Sequence, residues 1–265
     1  MMTFEYKKSL GQNFLVDKSV IQNIISNIPF NNKLDIIEFA SGNGAISKII
    51  STKLFQNFTM IEIDKRCNIE LQKIVDDSSN KNIQIVNDNI LTVSNKLFLK
   101  SKKNVENTVI IGNMPYYIST DIFLMLVNNR KQFSMALVMF QEEFISKIIP
   151  ENYSNKLHPL SIIADMFFNI ELIQKVYKTS FNPQPKIDSA IIKILPKIDN
   201  TNHDALKLFK ILKELFLYKK KKIKKLPKNV LEKINKISPP INLEKRLLEM
   251  TVKEIQSLAT KLIYI

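Results

Sequence analysis

The chain has 265 residues, 45% of them hydrophobic, and a formal net charge of +14. That length can bury a substantial core and divide into one large and one small domain, while no apolar run reaches the roughly 18 residues that a bilayer crossing needs. The single cysteine, Cys67, excludes an intramolecular disulfide, and with only His158 and His203 beside it no metal site is expected.

In chain order, apolar side chains recur at helical spacing over 19–28, where Val20, Ile21, Ile24, Ile25 and Ile28 share one face. Strands are predicted at 34–39, 58–63, 83–86, 108–112, 135–140 and 189–195, with helices starting at Ala45 and Arg66 between the first three. Strand, helix, strand at this spacing predicts an α/β fold: a parallel sheet with helices on both faces. Past residue 195 the pattern becomes purely helical: 205–216, a lysine-rich stretch, then 243–263 in one or two pieces. Domains 1–198 and 199–265 are expected. The tail from Thr201 holds 16 Lys/Arg against 6 Asp/Glu, so most of the positive charge lies there and favours a polyanionic partner. The opening "MMTFEYKKSLGQNF" has two lysines but no apolar stretch of signal-peptide length, which predicts a cytoplasmic rather than a secreted or membrane-bound protein.

"LDIIEFASGNGAIS" reads as a strand, a glycine turn and a helix start. Glu38 lies at the strand end, and Gly42 and Gly44 allow a ligand to approach the backbone. Glu62, ending the next strand, is placed to accept hydrogen bonds from ribose hydroxyls; Asp88, ending the third, could accept from an adenine amine. Three such positions at strand C-termini predict an adenosine-type cofactor. The turn is not G-x-G-x-x-G, which favours S-adenosylmethionine over a dinucleotide.

"GNMPYYIST" then places Asn113 at the end of the fourth strand. Pro115 fixes its own φ and restricts Met114, which can hold the Asn113 side chain and the Met114 carbonyl toward one point. Two acceptors so placed suit an –NH₂ group, and Tyr116 offers a face on which a base can stack.

On "LGQNFLVDKSVI", the three strand-end acids, "GNMPYYIST", "MFQEEFISKII", "SFNPQPKIDSAIIKI" and the tail segments, the chain resembles the KsgA family, the S-adenosylmethionine-dependent dimethyladenosine transferases of small-subunit ribosomal RNA, over nearly its whole length. The resemblance implies a Rossmann-like methyltransferase domain at 1–198 and a basic helical RNA-binding domain at 199–265. It implies cofactor contacts at Asn13, Leu15, Ala40, Glu62, Asp88 and Asn113, and an Asn-x-Pro-Tyr motif at Asn113, Met114, Pro115 and Tyr116. It also implies that Phe181 faces the target base opposite Tyr116, with Pro183 and Pro185 stiffening that loop.

Three departures stand out. Ala40 occupies the first glycine position of the family's Glu-x-Gly-x-Gly turn, "LHPLS" replaces Tyr-Gly-Arg-Leu-Ser, and the tail carries lysines where relatives carry arginines, which retains phosphate attraction but not bidentate recognition. The expected activity is methyl transfer to the N6 amines of two adjacent adenosines near the 3′ end of small-subunit RNA. The expected partner is that RNA or a pre-30S-like particle, and the expected state is a monomer. Lys219, Lys220, Lys221, Lys222, Lys224 and Lys225 would hold phosphates. The alternatives are a resistance-type methyltransferase of large-subunit RNA and a non-catalytic ribosome assembly or nucleic-acid-binding factor.

Overall fold

The structure, a computed structural model, describes residues 12–93, 104–149, 157–197, 203–238 and 240–265. Contacts divide the chain into two units, residues 1–144 with 170–196, and residues 145–169 with 197–265.

The first unit is built on a seven-stranded sheet of order β4-β3-β2-β5-β6-β9-β7. Its strands are β2 (Asp35–Phe39), β3 (Asn57–Ile61), β4 (Ile83–Val86), β5 (Thr108–Asn113), β6 (Met135–Gln141), β7 (Phe168–Val176) and β9 (Ser189–Pro196). The pairs from β4 through β6 are parallel and β6 pairs antiparallel with β9. A separate two-stranded ribbon joins β1 (Phe14–Leu15) to β8 (Phe181–Asn182). Helices α1 (Lys18–Ser26), α2 (Ser47–Ile50), α3 (Asn68–Asp77) and α4 (Ser119–Asn128) cover the sheet, and α5 (Glu142–Ile148) follows β6.

The central strands β2, β5 and β6 are nearly continuous runs of buried apolar residues, as strands covered on both faces must be. That continuity is why they are legible in the sequence. β7 reads "FNIELIQKV" and, as an edge strand, is only partly buried between Phe168 and Val176; it lacks the apolar run and is absent from the predicted set. The predicted helix from Ala45 contracts to the four residues of α2, because Ala45 and Ile46 still belong to the glycine turn.

Gly112, φ +153°, lies on β5 opposite Phe39 of β2. A Cβ there would overlap the Phe39 carbonyl oxygen, so the close approach of the two central strands requires glycine. The chain runs outward from β2 to β3 and β4, then returns to the other side at β5. This reversal opens a crevice at the C-terminal ends of β2 and β5.

In the second unit, α6 (Pro159–Phe167), α7 (Ala205–Leu217) and α9 (Val252–Leu262) pack against one another, with α8 (Lys228–Ile234) against α9. The predicted division at 198/199 lies outside the described residues, and the contacts group residues 145–169 with the tail. The reason is composition: α6 is apolar around nearly its whole circumference and needs α7 and α9 to cover it. "LHPLS" starts this helix. His158 Nδ1 accepts from the Leu160 N–H at 3.1 Å, Ser161 returns a bond to the His158 N–H, and burial pushes the imidazole pKa down to about 4.

Among the described residues, no helix is long and apolar enough to cross a membrane.

Candidate active site

At the β2/β5 reversal lies a cleft of about 920 Å³ counted to its open mouth, formed where β2, β3 and β5 end. Of the predicted residues it gathers Asn13, Leu15, Glu38, Ala40, Gly42, Glu62, Asn113, Met114, Pro115 and Tyr116 along its wall.

The turn after β2 forms the floor. Ser41 N–H donates to the Ile61 carbonyl at 3.2 Å and Gly44 N–H to Ser41 at 2.9 Å, which curls residues 40–44 over the strand ends. The curl needs left-handed backbone at Ala40, Gly42 and Gly44, with φ of +54°, +56° and +78°. Ala40 therefore takes a conformation that costs an L-residue roughly 1–2 kcal/mol. Glu62 clamps the turn: one oxygen accepts from the Gly42 N–H and the other from the Asp64 N–H, both at 2.8 Å. Each oxygen keeps a further lone pair for a hydroxyl.

Glu38 is 2% exposed and accepts from the Ser47 hydroxyl. Burial pushes its pKa up to about 8, so it carries a proton near neutral pH. Glu62 is also raised by burial, against the opposing pull of its two N–H donors.

The N-terminal segment crosses the cleft. Gln12 Nε2 donates to Asp64 at 2.6 Å; Asp64 is in turn forked by Arg66, whose hydrogen bonds hold its carboxyl well below the usual range. The Phe14 ring lies over Gly42, where a Cβ would come within 2.8 Å of it. Leu15 is buried in the β1–β8 pair, and Asp17 accepts from the Ser180 hydroxyl while capping α1.

Asn113 sits at the centre of the wall. Its Nδ2 donates to the Asn13 backbone carbonyl at 3.0 Å, and its Oδ1 is buried without a hydrogen-bond partner. With the nitrogen turned to Asn13, the oxygen is the side chain's free acceptor. A buried amide oxygen left unpaired costs about 1–3 kcal/mol, which an amine donor would recover. Met114 is buried and its N–H is used on Met139 of β6, so the Asn-Met-Pro backbone is anchored to the sheet. Tyr116 is half-buried, with its phenol 3.0 Å from the Ser189 hydroxyl, which fixes the ring.

Two predicted residues are not along this wall. Asp88 is exposed and outside the cleft wall; β4 ends at Val86, the chain turns, and the carboxylate accepts from the neighbouring Asn89 N–H at 2.6 Å. Asn89 and Ile90 reach the cleft instead. Phe181 is 2% exposed, packed beside Leu15, its partner in the β1–β8 pair, and is not among the wall residues. Tyr117, 58% exposed, is a further aromatic on the wall beside Phe14. Gln12, Asn89 and Tyr117 each adjoin a predicted residue; their motif neighbourhood was the available signal.

The lysine cluster is less uniform than its sequence. Lys222 and Lys224 both pair with Glu244, at 3.0 and 2.6 Å, while Lys219 and Lys221 lie over the rings of Phe216 and Tyr218. Lys220 and Lys225 are exposed and have no ion pair among the described residues.

The ribosomal RNA adenine dimethylase family model matches residues 3–261. Two relatives named ribosomal RNA small subunit methyltransferase A are similar over most of the chain. That of Mycoplasma mobile is 35% identical and covers 91% of each chain, and that of Pelagibacter ubique is 31% identical and covers 97% of this chain and 99% of its own. Among solved structures, a dimethyladenosine transferase from Plasmodium falciparum superposes with a TM-score of 0.72 at 22% identity, covering 92% of this chain and 95% of its own. The 23S rRNA methyltransferase ErmE superposes at 0.65 and 21%, covering 94% and 99%. These two share the fold. On the family match and the two close relatives, the chain belongs to the ribosomal RNA adenine dimethylase family.

Proposed function

We infer that the protein is an S-adenosylmethionine-dependent ribosomal RNA adenine-N6 dimethyltransferase, acting on two adjacent adenosines near the 3′ end of small-subunit RNA. The observation that carries the chemistry is the unpartnered Asn113 oxygen in the wall of a cleft at the strand ends.

The cleft suits the cofactor: left-handed glycine backbone for close approach, Glu62 with lone pairs for ribose hydroxyls, and two buried carboxylates toward a cationic ligand. S-adenosylmethionine, when bound, supplies a methyl carbon made electrophilic by its sulfonium. The residues do the rest by orientation and electrostatic preorganisation. Asn113 Oδ1 accepts one N–H of the adenine amine and the Met114 carbonyl accepts the other. This draws the nitrogen toward a tetrahedral shape and frees its lone pair from the ring. The proton displaced when nitrogen is alkylated leaves to water. Tyr116 stacks on the unstacked base, contributing roughly 1–3 kcal/mol. A singly methylated amine keeps one N–H and a lone pair, so the same acceptors can present it again.

The tail lysines, led by Lys220 and Lys225, attract RNA phosphates, and the partner is small-subunit RNA within a pre-30S-like particle, met by a cytoplasmic monomer. The names of the curated relatives favour the small subunit over the large. The test is to add purified protein and cofactor to undermethylated small subunits, and separately to large-subunit RNA, and map N6-methylated adenines by primer extension. Dimethylation confined to an adjacent pair in the small subunit is expected; modification of large-subunit RNA alone would assign the resistance-type activity, and modification of neither would leave a binding factor.

A further inference from the structure

The cleft wall contains two carboxylates, Glu38 and Glu62, and no lysine, arginine or histidine among the described residues that line it. Arg66, four residues past Glu62, is engaged on Asp64 at 2.6 Å. The two acids are not equivalent. Glu62 accepts two backbone N–H bonds, which favour its charged form; Glu38 is the more deeply buried and its carboxyl has the Ser47 hydroxyl as its donor, while the Ser41 hydroxyl donates to the Glu38 backbone carbonyl. Two like charges buried in one cleft cannot both form cheaply, so the pair shares its ionisation, and the backbone N–H bonds make Glu62 the more readily charged of the two.

We infer that the cleft recognises its cofactor by charge: entry of the sulfonium expels a proton from Glu38, whereas the thioether product, one positive charge poorer, leaves that proton in place. The inference rests on the cleft being the S-adenosylmethionine site. In the free protein Glu38 is the neutral acid. A cation in the cleft stabilises the carboxylate, which forms by losing its proton to solvent. Once the methyl group has gone to the amine, the compensating positive charge is gone too, and Glu38 regains a proton from water. The spent product thus faces a cleft returned to its resting charge, which favours exchange. Glu38 acts as a specificity-determining residue that separates cofactor from product.

The surroundings support a single proton at Glu38. From β3 it faces Glu62, with Asp64 beyond already paired to Arg66 and Gln12. Ahead of α3, the Cys67 thiol is pushed by burial up to about 12 and stays protonated. After β5, the Tyr116 phenol is raised by burial and bonded to Ser189. Below its free value of about 8, Glu38 must surrender a proton for the cationic ligand to bind best. Affinity for the sulfonium cofactor therefore rises with pH toward that value, by up to about tenfold per unit, and affinity for the thioether does not.

Isothermal titration calorimetry of the whole chain at about pH 7, in two buffers of different ionisation enthalpy, counts protons directly. S-adenosylmethionine should release about one proton and S-adenosylhomocysteine almost none. Glu38→Gln, checked for folding by circular dichroism, should abolish the release and flatten the pH dependence of cofactor binding, which also separates it from a proton lost by the ligand's own ammonium group. Equal proton counts for the two ligands, or release that persists in Glu38→Gln, overturns the inference. Should that variant fail to fold, the wild-type comparison of the two ligands still decides. Binding of neither ligand would instead overturn the cofactor assignment itself.

Discussion

The cleft and the lysine-rich tail carry opposite charge in opposite settings. Around the cleft, negative groups are few and buried, so low dielectric magnifies each and shifts its ionisation. Along 219–225 the positive groups are many and mostly exposed, so each counts for little in water, and two share the single Glu244 carboxylate. The first arrangement selects a small ligand atom by atom. The second attracts a long polyanion by the sum of its charges. Counting charge in the sequence finds the second and misses the first.

The strongest way to break the contrast is Gly112→Ala. The cleft depends on β2 and β5 meeting backbone to backbone, and the added methyl group forces them apart. A loss of about 3 kcal/mol or more is expected in denaturant titration. Next comes Asn113→Ala, which removes one acceptor from a wall that otherwise persists. Methyl transfer to undermethylated small subunits should fall by at least ~100-fold, with circular dichroism unchanged. Undiminished activity would remove Asn113 from the chemistry.

The tail should respond in smaller and unequal steps. Lys220→Ala and Lys225→Ala should each reduce the salt dependence of RNA binding by about one unit of slope, measured by filter binding across salt concentrations. Lys222→Ala should do less, because its charge is shared with Lys224 across the Glu244 carboxylate. Equal effects at all three positions would show that the ion pairs dissolve on RNA. Smallest is Ala40→Gly, which relieves a left-handed alanine at the cleft floor. The gain should be about 1 kcal/mol after the extra chain entropy of glycine, read as a melting temperature raised by about 2–4 °C.

The Asn-Met-Pro-Tyr segment and the acids at the ends of β2 and β3 could be read directly because each is a local pattern. An apolar run stops, and the next residue must face the strand end. Asp88 follows the same pattern on β4 and still misses the cleft, since the chain turns after Val86 and the side chain finds the next N–H first. Phe181 is hard to place from sequence for a different reason. Its side is set by pairing with residues 14–15, a partner about 165 positions away that no local pattern announces. The Gln12–Asp64 bond, spanning 52 positions, and the grouping of residues 145–169 with the tail were hidden in the same way.

The sequence by itself determined the strand–turn–helix alternation, the glycines and acids at its turns, and the basic tail, because these depend on the periodicity and backbone freedom of a few adjacent residues. Tertiary structure alone decided which Glu38 or Glu62 oxygen is bonded, that Asn113 turns its nitrogen to Asn13 and leaves its oxygen open, and that Phe181 is core. Those outcomes are set by burial and by partners distant along the chain, and only folding brings such partners within hydrogen-bonding reach.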